Sequence, residues 1–181
     1  MRLFIALNFP KSTVESLVRA QEALRRAAPR GNYSRRENLH LTLAFLGEQE
    51  RGRLAAAEEA MDAARFSPLT LTFDRAGRFK NRGGDIWWLS CGEAPELMAL
   101  QRRLSAELAS RGFALEERRF VPHITLARQV ILPPGAAAPA LPVGGLSLAG
   151  PGALRSLNYE PPPGAGNPGA GCARPGSRSA A

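Results

Sequence analysis

The chain has 181 residues, 44% of them hydrophobic and 22% charged, close to the averages for a globular protein. A wholly disordered chain is excluded, and one well-buried core is feasible at this length. Its 24 Lys and Arg residues against 16 Asp and Glu give a net charge of +8, a weak pointer to a polyanionic partner.

Residues 2–7 (RLFIAL) read as a buried strand, short, apolar and followed by Pro10. Ser12 and Glu15 have capping-box spacing for a helix whose apolar stripe is Val14, Leu17, Val18 and Leu24, and which Pro29 and Gly31 end. Residues 39–46 (LHLTLAFL) alternate, then become fully apolar before Gly47, and predict a strand. Residues 50–65 predict an Ala-rich helix with Leu54, Met61 and Ala64 inward; Leu69–Phe73 alternates as a strand, and the glycine-bearing 75–85 reads as a polar loop.

The second half repeats this order. Ile86–Ser90 predicts a strand in which Trp87 and Trp88 face opposite ways, and 96–110 a helix with Leu97, Leu100, Leu104 and Leu108 along one side. Gly112 stands where a helix-ending glycine belongs. Residues 120–128 (FVPHITLAR) predict another strand, and 141–148 one more. The pattern recurs at an offset of 83 residues, which also lays Phe4 on Trp87 and Leu17 on Leu100, and suggests two lobes about a pseudo-two-fold axis. From 161 to 181 the chain is nearly all Pro, Gly, Ala, Ser and Arg, and disorder is expected there. The folded domain is therefore placed at 1–160, ahead of that tail.

Several function classes drop out on residue types. No apolar run is long enough for a bilayer span. LFIAL at 3–7 is too short for a signal-peptide core. Cys91 and Cys172 form no metal or disulfide pattern, so a cytoplasmic protein is expected. There is no nucleophile elbow and no phosphate-binding P-loop.

What remains is the histidine pair. The only two histidines, His40 and His123, stand in nearly the same pentapeptide, H-L-T-L-A and H-I-T-L-A. By composition such a sequel to a histidine arises on the order of once in 10⁴ tries. On a strand, residues i and i+2 share a face, so His40 pairs with Thr42 and His123 with Thr125. If the two strands meet, one cleft receives two imidazoles, able to act as acid and base in one displacement, and two hydroxyls able to donate to phosphate oxygens. That constellation suits attack on a phosphodiester without a metal, since two histidines with no Asp, Glu or Cys at ligand spacing are too few for zinc. The near-symmetric motifs do not say which histidine is the acid.

These motifs, with 1–7 (MRLFIAL), 37–47 (ENLHLTLAFLG) and 120–128 (FVPHITLAR), make the chain resemble the two-histidine phosphoesterase superfamily. Within it the likeness is to the RNA 2′,3′-cyclic phosphodiesterases, the LigT-like 2′–5′ RNA ligases, over about residues 1–148. The resemblance implies an α+β fold with two antiparallel sheets around a central cleft and helices outside. It implies hydrolysis of a terminal 2′,3′-cyclic phosphate to a 2′-phosphate with no metal and no cofactor, on RNA ends such as tRNA fragments, by a monomer. By position, His40 would be the proton donor to the 3′ oxygen, His123 the base that activates water, and Thr42 and Thr125 the phosphate holders.

Arg128, at the end of the second motif, is a candidate for the substrate phosphate. The pairs Arg35–Arg36 and Arg118–Arg119 are candidates for the cleft rim, whereas Phe45 and Phe120 read better as core than as base-stacking surfaces. Ligation of 2′–5′ linkages, hydrolysis of small cyclic nucleotides, and a non-catalytic RNA-binding module are the alternatives. The family closes with a further strand; here the composition beyond 149 is what GC-rich DNA encodes out of frame, so loss of pairing at one sheet edge is expected.

Overall fold

The computed structural model describes residues 1–143 and the backbones of strands 145–149 and 154–158. Among the described residues eight strands and three α-helices follow one another as β1 (Arg2–Leu7), α1 (Lys11–Ala27), β2 (Arg30–Tyr33), β3 (Leu41–Glu48), α2 (Leu54–Ala63), β4 (Leu69–Phe79), β5 (Asp85–Cys91), α3 (Pro95–Ser110), β6 (Ile124–Ile131), β7 (Gly145–Ala149) and β8 (Leu154–Asn158). The first sheet has the order β3-β1-β8 and the second β2-β6-β5-β4-β7, with antiparallel pairing throughout. This is the expected α+β architecture.

The duplication is visible in the sheets. The order β3-β1-β8 in one matches β6-β5-β4 in the other, and β3 and β6 begin and end 83 residues apart. In β1 and β5 the match is one residue out of that register: Ile5, Ala6 and Leu7 oppose Ala44, Thr42 and Leu41 as Trp87, Trp88 and Leu89 oppose Ala127, Thr125 and Ile124. Phe4 therefore corresponds to Ile86, not to Trp87. The lobes are also not the two halves of the sequence. Strand β4 from the first half joins β5 and β6, β8 from the second half joins β1 and β3, α1 packs on β2, β6 and β7, and α3 packs on β3 and α2.

Helix α3 forms as its sequence dictates. Leu97, Leu100, Leu104 and Leu108 are wholly buried, each worth about 1.5–3 kcal/mol relative to exposure. Pro95 stands in the first turn, and Gly112 at φ +76° takes the left-handed position that ends the helix. Helix α1 departs from expectation at its start: Pro10 precedes it, no side chain caps it, and Ser12 lies inside the first turn, so the capping box does not form. Its buried stripe is Thr13, Leu17, Ala20, Gln21 and Leu24, with Val14 and Val18 only partly covered. In α2 the alanines Ala57 and Ala60 are buried while Leu54 and Met61 pack at the margin.

Two expectations fail for reasons of pairing. Residues 75–79 are not loop but the second half of β4, because Arg75, Ala76, Gly77, Arg78 and Phe79 pair with residues 86–90 of β5. Polar and glycine content marked a loop, yet cross-strand hydrogen bonds extend the strand and leave only 80–84 as the connection. A side chain at Gly77 would put Cβ 2.4 Å from the Trp88 ring, so the glycine is what lets that indole lie across β4. The sheet edge expected to be lost after 149 is occupied: β8 pairs with β1 along five residues. Residues 161–181, expected to be disordered, lie outside the described residues. Among the described residues no helix is long and apolar enough to cross a membrane.

Candidate active site

Each histidine stands one residue before a motif strand rather than inside it, His40 before β3 and His123 before β6. Beyond them Leu41, Leu43, Ile124 and Leu126 are buried while Thr42 and Thr125 are half-buried, so the alternation inferred from the sequence holds this far. It then breaks, identically in both strands. The register slips between Ile5 and Ala6 opposite Ala44 and Thr42, and between Trp87 and Trp88 opposite Ala127 and Thr125. One extra residue enters each motif strand at this point, a β-bulge, and the residues next beyond it change face, before a second shift farther along each pair. The doublets Leu43–Ala44 and Leu126–Ala127 are both buried, and the next residues, Phe45 and Arg128, emerge into solvent. Phe45 is 51% exposed, contrary to the expectation of a core position. Phe120 is half-buried and packs against the core.

The bulge thus puts a third residue on the face of each histidine: His40, Thr42 and Phe45 on one side, His123, Thr125 and Arg128 on the other. Aromatic rings flank both imidazoles. Phe4 stacks on His40 with centroids 5.0 Å apart and lies 6.1 Å from Phe45. Phe79 meets His123 edge-on at 5.7 Å and Trp88 at 5.4 Å. Trp87, by contrast, is core, so the two tryptophans divide as expected.

The electrostatics tie the two motifs together. Burial pushes the His40 pKa down to about 4, with the Arg128 guanidinium adding to the shift. Burial also lowers His123, the Val121 carbonyl opposes that, and Arg128 again lowers it. A single cation from β6 therefore acts on both imidazoles, which places His40, His123 and Arg128 in one locale. The hydrogen bonds distinguish the histidines. His123 Nδ1 lies 2.8 Å from the Val121 carbonyl oxygen; since a carbonyl only accepts, Nδ1 carries the proton and Nε2 keeps its lone pair. His40 Nδ1 is buried and finds no hydrogen-bond partner among the described residues.

Three polar residues that the sequence did not single out hold the second motif. Gln21 of α1 donates to the carbonyls of Leu126, at the bulge, and Ser34 (2.8 and 2.7 Å). Ser34 donates from Oγ to the Thr125 carbonyl at 2.8 Å and from its backbone to Leu126, and Ser90 donates from Oγ to the Pro122 carbonyl at 2.6 Å. Gln21 carried a signal, a lone amide in an otherwise apolar helical stripe. Of the predicted rim arginines, Arg36 pairs with Glu15 at 3.4 Å and Arg118 with Glu116 at 2.8 Å; all four are exposed. No group of three or more His, Cys, Asp or Glu side chains able to hold a metal occurs among the described residues.

Comparison with known proteins gives a family-model match to the 2'-5' RNA ligase superfamily over residues 11–142. The chain is 34% identical over 131 residues to the RNA 2',3'-cyclic phosphodiesterase of Thermotoga maritima, covering 71% of this chain and 70% of that one. It is 33% identical over 129 residues to the protein of that name from Geobacillus stearothermophilus, covering 70% of this chain but only 41% of the longer relative. The crystal structure of Escherichia coli LigT complexed with 3'-AMP superposes with a TM-score of 0.65 at 30% identity, over 82% of this chain and 83% of LigT.

Proposed function

Because this chain belongs to the 2'-5' RNA ligase superfamily, we propose that it hydrolyses RNA 2′,3′-cyclic phosphate ends to 2′-phosphates, with His123 as base and His40 as acid and without a metal. The observation that supports this most strongly is the matched pair of bulged His-x-Thr strands, with the Arg128 guanidinium lowering the pKa of both imidazoles. His123 Nε2 takes a proton from water, the water oxygen attacks phosphorus, the bond from phosphorus to the 3′ oxygen breaks, and His40 gives its proton to that oxygen. Thr42 and Thr125 donate to the non-bridging oxygens, and Arg128 pairs with their charge.

The low pKa of His40 fits this sequence when substrate charge is included. At about 4, roughly one free molecule in a thousand carries the proton at pH 7. A bound phosphate neutralises Arg128 and places an anion beside the imidazole. Both effects raise the His40 pKa, which favours the protonated acid once the substrate is bound.

The test is hydrolysis of an RNA oligonucleotide ending in a 2′,3′-cyclic phosphate, in EDTA, with the product isomer identified. A 2′-phosphate product is expected; a 3′-phosphate product, or activity abolished by the chelator and restored by a metal, overturns the assignment. Phe45, beside Phe4 on the His40 side, is placed to take the terminal base on its ring face. Base stacking on an aromatic side chain is worth about 1–3 kcal/mol, so Phe45→Ala raises KM by about tenfold with little change in kcat, as steady-state kinetics on a mononucleotide substrate will show. An equal KM for Phe45→Ala and the native chain removes the stacking role.

A further inference from the structure

Four exposed cations occupy eight residues of the β4–β5 hairpin: Arg75, Arg78, Lys80 and Arg82. The site as described uses none of them. Asp74 lies 3.9 Å from Arg75, and Asp85 pairs with Arg78 at 2.8 Å. Lys80 and Arg82, on the connection between the strands, face no carboxylate among the described residues.

The hairpin is anchored to the site at two points. Phe79, one residue before Lys80, packs its ring against His123 and Trp88. At the other side of the connection Gly84, at φ +105°, lies so close to Gln129 that a Cβ there would stand 2.5 Å from its backbone carbon. Gln129 follows Arg128 directly and itself holds a left-handed backbone, φ 53°. The hairpin connection is therefore fixed against the residue next to the phosphate-pairing guanidinium, with its cations turned to solvent. Positive charge continues outward from Arg128 along this one hairpin.

We infer that the β4–β5 hairpin binds the RNA strand beyond its cyclic end, with Lys80 and Arg82 pairing with phosphates upstream of the terminal nucleotide. This rests on the proposed RNA-end activity and adds to it a reason to prefer a polynucleotide over a mononucleotide. A mononucleotide fills the cleft between the motif strands and has nothing to offer the hairpin. An oligonucleotide carries further phosphates, and single-stranded binding of this kind is dominated by such charge contacts.

The experiment compares the full chain with Lys80→Ala/Arg82→Ala and with the reversal Lys80→Glu/Arg82→Glu. Turnover is measured on adenosine 2′,3′-cyclic phosphate and on an RNA octamer with the same end; anisotropy follows a labelled octamer ending in a 2′-phosphate. The alanine pair is expected to raise the octamer KM and Kd by about tenfold and leave kcat and every mononucleotide parameter unchanged. The salt dependence of log Kd flattens by about 1.4, near 0.7 for each lost phosphate contact on a single strand. The reversal deepens the loss, while Lys80→Arg keeps octamer binding. Equal effects on both substrates, or none on the octamer, overturn the inference. Octamer binding that depends on the hairpin in a native chain with no turnover preserves the inference and removes the proposed activity. Absence of both turnover and octamer binding by the native chain removes both.

Discussion

Replacing His123 by alanine lowers kcat on a cyclic-phosphate RNA end by about 10²- to 10⁴-fold, the range expected on removing a positioned acid–base group. His40→Ala produces a loss of the same size. The two variants separate when the leaving group changes. If His40 delivers the proton to the departing 3′ oxygen, a substrate with sulfur at the 3′ position, which leaves as a thiolate without protonation, restores most of the His40→Ala activity. His123→Ala gains nothing from sulfur, because water still has to lose its proton. The reverse pattern would interchange the roles, and equal insensitivity in both variants would show that neither histidine protonates the leaving group. Circular dichroism of the variants checks that the fold persists.

Arg128→Ala is expected to lower kcat/KM by about 10²-fold, in keeping with loss of a preorganised donor to transition-state charge, and to shift the pH dependence. The sign follows from Coulomb's law. Arg128 is cationic and lies near both imidazoles, lowering His40 and His123 alike; its removal makes each imidazolium less costly, and both pKa values rise. Proton NMR of the two histidine rings, assigned with the alanine variants, reads this directly, His40 moving up from about 4. The bell of kcat/KM against pH moves to higher pH with them. Arg128→Lys keeps the charge, so the titration stays near native, while the loss of paired donors still lowers the rate. Unchanged titration of both rings in Arg128→Ala would separate this arginine from the site.

The predicted elements that held are those whose evidence was local. Four leucines at helical spacing ended by Gly112 define α3 without help from elsewhere, because a 3.6-residue period and a left-handed stop are properties of one segment. The five residues proposed for the site, His40, Thr42, His123, Thr125 and Arg128, all come from one repeated pentapeptide and its flank. Phe45 was misread as core because alternation on a strand assumes a constant period of two. The buried doublets Leu43–Ala44 and Leu126–Ala127, present in both motifs, were the signal of an inserted residue. The amide of Gln21 could be seen interrupting its apolar stripe, but the partners of Gln21 and Ser34 could not, since the carbonyls they satisfy, at Leu126 and Thr125, lie about a hundred residues away in the chain.

The sequence by itself determined the repeated His-x-Thr pentapeptides and the strand–helix–strand repeat, each encoded in residue type and short-range spacing, while the α+β class came through the family resemblance those motifs carry. Tertiary structure alone decided that β4 and β8 exchange lobes, that the bulges turn Phe45 and Arg128 to the side of the histidines, and that one guanidinium acts on both imidazoles. Strand partners and register are chosen by side chains far apart in the chain competing to cover the same apolar face. Electrostatic coupling falls with distance in space, whatever the separation in sequence.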